Sequence, residues 1–265
     1  MKSTLFLGGG HITSALVAGL RLAKYKQPIV VYDHNPQKLR ALRRQFHVDI
    51  AHDVKSAIEQ AEFVIIAVRP VSVAGLLAEV TACHASRYPR LWISLAAGVP
   101  LRNLRAQFKQ ARWTRAMPSP VCRIESGLTA LCFDGSVGKR ERTRVRRFFS
   151  HVGQVLEIPE RQFDAFTATY SSSHGYHALA MLAKSAQDAG LDRETALIAA
   201  AHALGDGIVY WRQSGQSLDD LLHEAATPGG IAAATTAAMD KSGYARVVAD
   251  GLKAGIAQAR RNARR

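Results

Sequence analysis

Three consecutive glycines, Gly8-Gly9-Gly10, run straight into His11-Ile12-Thr13, and these are the first residues whose types and spacing could do chemistry. They follow a short apolar run, Thr4 to Leu7, and precede an alanine-rich amphipathic stretch, Ile12 to Leu22. A strand that turns through glycines into a helix offers unpaired N–H groups and the positive end of a helix dipole, a combination suited to a pyrophosphate. Gly8 permits the tight turn and Gly10 lets the backbone approach the phosphates. The third position of such a fingerprint, ordinarily Gly or Ala, is Thr13. Roughly 20 residues further on, a second apolar run, Ile29 to Tyr32, ends in Asp33, whose carboxylate could accept from a ribose hydroxyl. Together these signals point to a dinucleotide site built from Gly8, Gly10, His11, Ile12 and Asp33, the alternative being a glycine turn that only joins strand to helix. His34, Asn35 and Lys38 put donors beside the acid, which favours a 2′-phosphate and so NADP, with NAD possible. Arg40 and Arg43 read as a solvated helix face.

A site of this kind needs a sheet to carry it. Thr4 to Leu7, Ile29 to Tyr32, Phe63 to Val68 and Leu91 to Ser94 are short, bounded and rich in Val, Ile or Leu, as buried parallel strands are. Helical segments lie between them at Ile12 to Leu22, Pro36 to Gln45 and Val54 to Gln60. Leu128 to Phe133 and Gln154 to Ile158 add two strands around a basic helix, Arg140 to His151. Right-handed crossovers turn this series into a doubly wound parallel α/β sheet of Rossmann type. From about residue 162 only helical periodicity remains, at Tyr176 to Asp188, Arg193 to Trp211, Leu218 to Ala225, Pro228 to Lys241 and Tyr244 to Ala259. The expected division is a dinucleotide-binding domain over 1–160 and an all-helical domain over 161–265. Alanine-rich helices bury little area per residue, which favours a homodimer whose partner helices complete the core.

The 265 residues, 48% hydrophobic, suffice for two domains with real cores. Phe63 to Val68 falls far short of the roughly 20 residues that cross a bilayer, and the N-terminus lacks the pattern of a signal peptide, so no membrane is expected and the expected location is the cytoplasm. Cys83, Cys122 and Cys132 show neither CxxC spacing nor a supporting histidine pattern, so reduced thiols and no metal are expected. The net charge of +14 raises the question of nucleic acid. The clusters Lys139 to Arg147 and Arg260 to Arg265 lack interleaved aromatics or a recognition motif, so no nucleic-acid partner is expected.

Several segments in fixed order resemble the pyrroline-5-carboxylate reductase family, which reduces a cyclic imino acid to proline. They are Phe6-Leu7-Gly8-Gly9-Gly10, Val31-Tyr32-Asp33-His34-Asn35-Pro36, Ala67-Val68-Arg69-Pro70, Ser94-Leu95-Ala96-Ala97-Gly98, Arg115-Ala116-Met117-Pro118 and Thr227-Pro228-Gly229-Gly230. The resemblance implies a homodimer through the helical domain, a cyclic imine substrate, and cofactor contacts at Ala67, Val68, Arg69, Pro70, Ala96, Ala97 and Met117. Where the family usually carries Met-Pro-Asn-Thr-Pro, this chain has Met117-Pro118-Ser119-Pro120-Val121. The family's threonine after the Thr-Pro-Gly-Gly motif is replaced by Ile231-Ala232. Cofactor features are thus better kept than substrate features.

On the substrate side, Ser171, Ser172 and Ser173 precede a predicted helix and either form an anion pocket for a carboxylate or cap that helix. Thr227, read as an N-cap with Pro228 in the first turn, makes a second helix start for a ligand, chiefly on the resemblance. His174 is a candidate proton donor or polar wall, His177 a weaker one, so that Ser172, His174 and Thr227 form the catalytic set. Arg123 could meet a substrate carboxylate or a surface acid, and Tyr176 reads as core or dimer contact. Two rival functions remain open. One is an NADP-binding regulatory or scaffold protein without turnover. The other is a β-hydroxyacid dehydrogenase-like enzyme, which normally depends on a lysine in the helical domain, here Lys184.

Overall fold

The computed structural model describes residues 3–83 and 91–263. Eight strands form one sheet: β1 (Ser3–Leu7), β2 (Ile29–Tyr32), β3 (Asp49–Ile50), β4 (Ala61–Ile66), β5 (Leu91–Ser94), β6 (Arg112–Met117), β7 (Gly127–Phe133) and β8 (Gly153–Glu157), in the order β3-β2-β1-β4-β5-β6-β7-β8. Seven helices connect or flank them: α1 (His11–Leu22), α2 (Pro36–Phe46), α3 (Val54–Gln60), α4 (Val73–Ala82), α5 (Leu101–Gln107), α6 (Lys139–Ser150) and α7 (Glu160–Thr169). Alternate residues of the central strands serve opposite faces, as the period of two requires. Leu5, Leu7, Val64, Ile66, Trp92 and Trp113 belong to one core layer, and Phe6, Val31, Phe63, Ile65 and Ile93 to the other. Both faces are therefore covered, the condition for a parallel sheet.

The chain runs outward from β1 to β2 and β3, then returns to β4 and continues the other way. The crevice at the carboxyl ends of β1 and β4 is thus a topological switch point, where ligands of open α/β sheets bind. The expected α/β class holds, with one departure from an all-parallel sheet: β7 pairs antiparallel to β6, while β8 is parallel to β7. Only residues 118–126 join β6 to β7, fewer than the dozen or more that a parallel crossover needs.

Five further helices complete the chain: α8 (Ser172–Asp188), α9 (Arg193–Ser214), α10 (Leu218–Ala225), α11 (Ile231–Lys241) and α12 (Tyr244–Asn262). The molecule divides into two compact units. One takes the chain to Tyr170 and recovers it from Gly255 onward; the other is Ser171–Ala254. In the first, α7 delivers Phe163 into the sheet's core at 0% exposure, and the carbonyl of Ala259 in α12 packs so close to Gly98 that a Cβ there would lie 2.2 Å from it. In the second, α8 packs against α9, and only Ala183, Ala196 and Ala200 are buried.

Two expected helix starts shift. α8 begins at Ser172, with Ser171 as its N-cap, so Ser172, Ser173 and His174 lie in its first turn and not ahead of it. α11 begins at Ile231 with Gly230 as N-cap, not at Pro228 with Thr227 as cap. The Gly230 N–H donates to the Thr227 carbonyl at 2.9 Å and Gly229 has φ +80°, which makes Thr227-Pro228-Gly229-Gly230 a reverse turn with proline and glycine at its two central positions.

Candidate functional site

A cavity of about 940 Å³ opens where β1, β2 and β4 end, lined by the glycine turn, the first turn of α1, residues 32–34 and the start of the segment after β4. Gly8 has φ +114°, and a Cβ there would lie 2.7 Å from the Ala67 carbonyl oxygen, so only glycine fits between the ends of β1 and β4. Thr13, at the third fingerprint position, is fully buried and its hydroxyl donates to the Gly8 carbonyl at 2.6 Å. That side chain thus locks the turn. Gly10 is the N-cap of α1 without a side-chain cap, and a Cβ there would meet nothing within 4 Å. The first N–H groups of α1 therefore face open space, as a phosphate site requires.

Asp33 closes the turn from the other side. Its Oδ2 accepts from the Gly9 N–H at 2.7 Å and its Oδ1 from the Asn35 N–H at 2.8 Å, while the Lys38 ammonium stands 3.4 Å from Oδ2. Burial pushes the carboxyl up, but the two backbone donors and the ammonium outweigh it and hold Asp33 below its ordinary value. A carboxylate anchored in this way remains ionised at the edge of the cleft. Asn35 spends its side chain capping α2, accepting from the Gln37 and Lys38 N–H groups.

Of the candidate cofactor residues, Gly8, Gly10, His11, Ile12, Asp33, His34, Lys38, Ala67, Val68 and Arg69 line this cavity. Asn35, Pro70, Ala96, Ala97 and Met117 do not. Pro70 opens a 3-10 turn, Ala96 is buried, and Met117 packs against a core layer. Sequence reasoning missed Tyr32, Gly75 and Glu79, which also line it. Tyr32 directly precedes Asp33 and is open to the same strand-end argument; Gly75 and Glu79 lie on α4, whose signal is the helical spacing of Val73, Leu76, Leu77 and Val80.

The candidate substrate residues lie in the helical unit. The Ser171 side chain makes no capping bond and its hydroxyl lies 2.7 Å from that of Ser173, leaving the start of α8 without a side-chain cap. Ser172 is half-buried and His174 and His177 are exposed. Tyr176, expected in a core or contact, is 66% exposed in the single chain. Lys184 pairs with Asp188 one turn later, at 3.3 Å on an exposed face. In the sheet-bearing unit, Arg123 donates to the Ser14 hydroxyl at 3.3 Å, not to an acid. The basic helix α6 turns Arg142 and Arg146 to Glu157, and Arg144 to Glu62; Arg264 and Arg265 of the other basic cluster lie outside the described residues. Burial pushes the Cys122 and Cys132 thiols up to about 12. Among the described residues there is no group of three or more His, Cys, Asp or Glu that could hold a metal, and no helix is long and apolar enough to cross a membrane.

Residues 4–98 match the family described as NADP oxidoreductase, coenzyme F420-dependent, and residues 160–262 match the family described as pyrroline-5-carboxylate reductase dimerisation. The chain is 31% identical over 211 residues to the pyrroline-5-carboxylate reductase of Mycobacterium leprae, covering 77% of this chain and 71% of that one. It is 28% identical to the enzyme of the same name from a Synechocystis species, over 94% of this chain and 93% of that one. Its fold is similar to a crystal structure of Plasmodium falciparum pyrroline carboxylate reductase with NADP bound, with a TM-score of 0.86 and 20% identity over 99% of this chain and 98% of that one.

Proposed function

The chain belongs to the pyrroline-5-carboxylate reductase family, and from that membership we propose that it reduces pyrroline-5-carboxylate, or a closely related cyclic imino acid, to proline or its analogue with NADPH, NADH being the second possible donor. The observation that carries the cofactor half is the glycine turn, wedged at Gly8 against Ala67 and open at Gly10 beneath the uncapped start of α1. This cradle fits a pyrophosphate, and a side chain at Gly10 would stand in the space the phosphates need. Gly8, Gly10, His11 and Ile12 would hold the diphosphate, Asp33 the adenosine ribose, and His34 and Lys38 its 2′-substituent, with Asn35 fixing the start of α2 from which Lys38 reaches. Ala67, Val68, Arg69 and Pro70 would follow along the dinucleotide, with Ala96, Ala97 and Met117 toward its nicotinamide end. The nicotinamide, when bound, supplies the hydride.

The chain's own contribution is position. A cyclic imine can take its proton from water, so no strong enzymic acid is obligatory, and orientation carries much of the rate. The uncapped start of α8, with Ser172 in its first turn, would hold the substrate carboxylate. His174 and the Thr227 turn complete the proposed substrate side. We assign residues 1–160 to a dinucleotide-binding domain and 161–265 to a helical domain that forms a homodimer. Exposed Tyr176, Val209 and Val247 support that assembly. The proposed setting is the cytoplasm.

The test is oxidation of NADPH and NADH by the purified chain with pyrroline-5-carboxylate and with six-membered and sulfur-containing cyclic imine carboxylates, cofactor binding being measured separately. Turnover of the five-membered imino acid is expected. Tight cofactor binding with no turnover of any imine would overturn the proposal in favour of a binding protein.

A further inference from the structure

Besides Asp33, the cleft carries a second carboxylate that the proposed cofactor contacts leave unused. Glu79 projects from α4, and its Oε1 accepts a hydrogen bond from the Tyr32 hydroxyl at 2.6 Å. Its Oε2 lies 3.3 Å from Nε2 of His34. The Tyr32 and His34 rings meet edge to face with centroids 5.4 Å apart, and all three residues line the cavity. Burial and the carboxylate beside it push the Tyr32 hydroxyl up to about 12, so it serves as a donor to Glu79 and not as a competing anion.

The same end of the cleft holds the groups that a ribose 2′-phosphate would need. Lys38 stands 3.4 Å from Asp33, as His34 stands beside Glu79. The two donors that follow β2 and line the cleft, His34 and Lys38, therefore each face a carboxylate. A 2′-phosphate must draw both donors away from those partners and approach two negative charges, whereas a 2′-hydroxyl needs neither displacement. The Lys38–Asp33 ion pair is worth up to about a factor of five in affinity, and the His34–Glu79 contact adds to it, so together they can offset much of what a 2′-phosphate gains.

We infer that Glu79 is a specificity-determining residue for the dinucleotide: by engaging the His34 ring nitrogen and placing charge beside the 2′-position, it narrows the preference for the phosphorylated form. This rests on the reading that the cleft holds a nicotinamide dinucleotide. Its consequence is a chain that still prefers the phosphorylated form, by a narrower margin that one carboxylate on α4 helps to set.

The experiment is calorimetric titration of the full chain with ADP-ribose and with 2′-phospho-ADP-ribose, which report binding without turnover. Glu79→Gln keeps an acceptor for Tyr32 and removes the charge. It is expected to tighten the phosphorylated ligand about three- to five-fold and to leave ADP-ribose within about twofold. The gain is expected to shrink when His34→Ala is already present. Tyr32→Phe, which removes a hydroxyl and no charge, is expected to leave the ratio of the two constants as it was. An unchanged ratio in Glu79→Gln, or weaker binding of both ligands in parallel, would overturn the inference while leaving the cofactor site intact. Failure of both ligands to bind the unmodified chain would overturn the cofactor reading together with it.

Discussion

Gly8 and Gly10 differ in what a methyl group would cost them, and that difference separates folding from binding at single positions. At Gly8 the backbone has φ +114° and the added carbon would lie 2.7 Å from the Ala67 oxygen. Gly8→Ala is expected to destabilise the chain by about 1–3 kcal/mol and to weaken dinucleotide binding as well. At Gly10 an added carbon meets nothing within 4 Å. Gly10→Ala is expected to lower the melting temperature far less than Gly8→Ala, by no more than the poorer N-cap costs, and to lose affinity, which paired thermal melts and ADP-ribose titrations would check; equal loss of stability in both would refute the distinction. Asp33 adds a pH dependence. Its folded-state carboxyl is held below the ordinary value, so its stabilising contribution is complete above the unfolded pKa and disappears as pH falls through the lower folded one. The difference in melting temperature between the natural chain and Asp33→Asn is therefore expected to be largest near neutrality and to close in strong acid.

At the scale of elements, β6 and α7 are joined by a buried arginine. Arg115 is 2% exposed, its guanidinium stands 2.7 Å from Glu160 and 3.5 Å from Asp164, and it covers the Phe163 ring at 4.1 Å. Glu160 also accepts from the Leu101 N–H at the start of α5. Removing Glu160 leaves a buried cation with only the longer contact to Asp164, whereas removing the arginine leaves acids that water can reach. Glu160→Ala is thus expected to cost about 3 kcal/mol, and Arg115→Met less, as measured by denaturant unfolding. The reverse order would show that the ion pair is not what holds α7. This arginine also explains why β6 was hard to read. Arg112, Thr114 and Arg115 break the apolar run that marks a buried strand, and only the partners on α7 make a buried arginine tolerable. The strands β2 and β5 carry uninterrupted apolar runs bounded by turn residues, and their limits were legible to the residue. The two residues of β3 are too short to leave any period. α4 is legible in principle, since Val73, Leu76, Leu77 and Val80 recur at helical spacing and are buried, and Glu79 lies on that helix. The Thr227 turn failed for another reason: proline suits both the first turn of a helix and a reverse turn, and only the positive φ of Gly229 decides between them. The cofactor end of the site was legible because backbone geometry dictates its residues, whereas the substrate end depends on side chains whose partners are remote in sequence.

At the scale of the molecule, the helical unit has too little interior of its own. Only three alanines are buried between residues 171 and 254, while Leu197, Ile198, Ile208, Val209, Tyr210 and Trp211 of α9 are 44–56% exposed and Val247 of α12 is 68% exposed. Apolar surface on that scale marks a contact. The proposed homodimer supplies it, and the chain is expected to sediment as a dimer at micromolar concentration. If folding of the helices is completed by the partner, the melting temperature must rise with protein concentration, because association stabilises the folded state by mass action. Val209→Asp puts a charge on that surface and is expected to yield a monomer with a lower melting temperature and less helical circular dichroism. ADP-ribose binding provides the internal control, because the glycine turn belongs to the other compact unit. A dimer that survives Val209→Asp at every concentration would place the contact elsewhere on the helices, and a natural chain that sediments as a monomer with a concentration-independent melt would mean that the exposed apolar side chains serve something other than self-association.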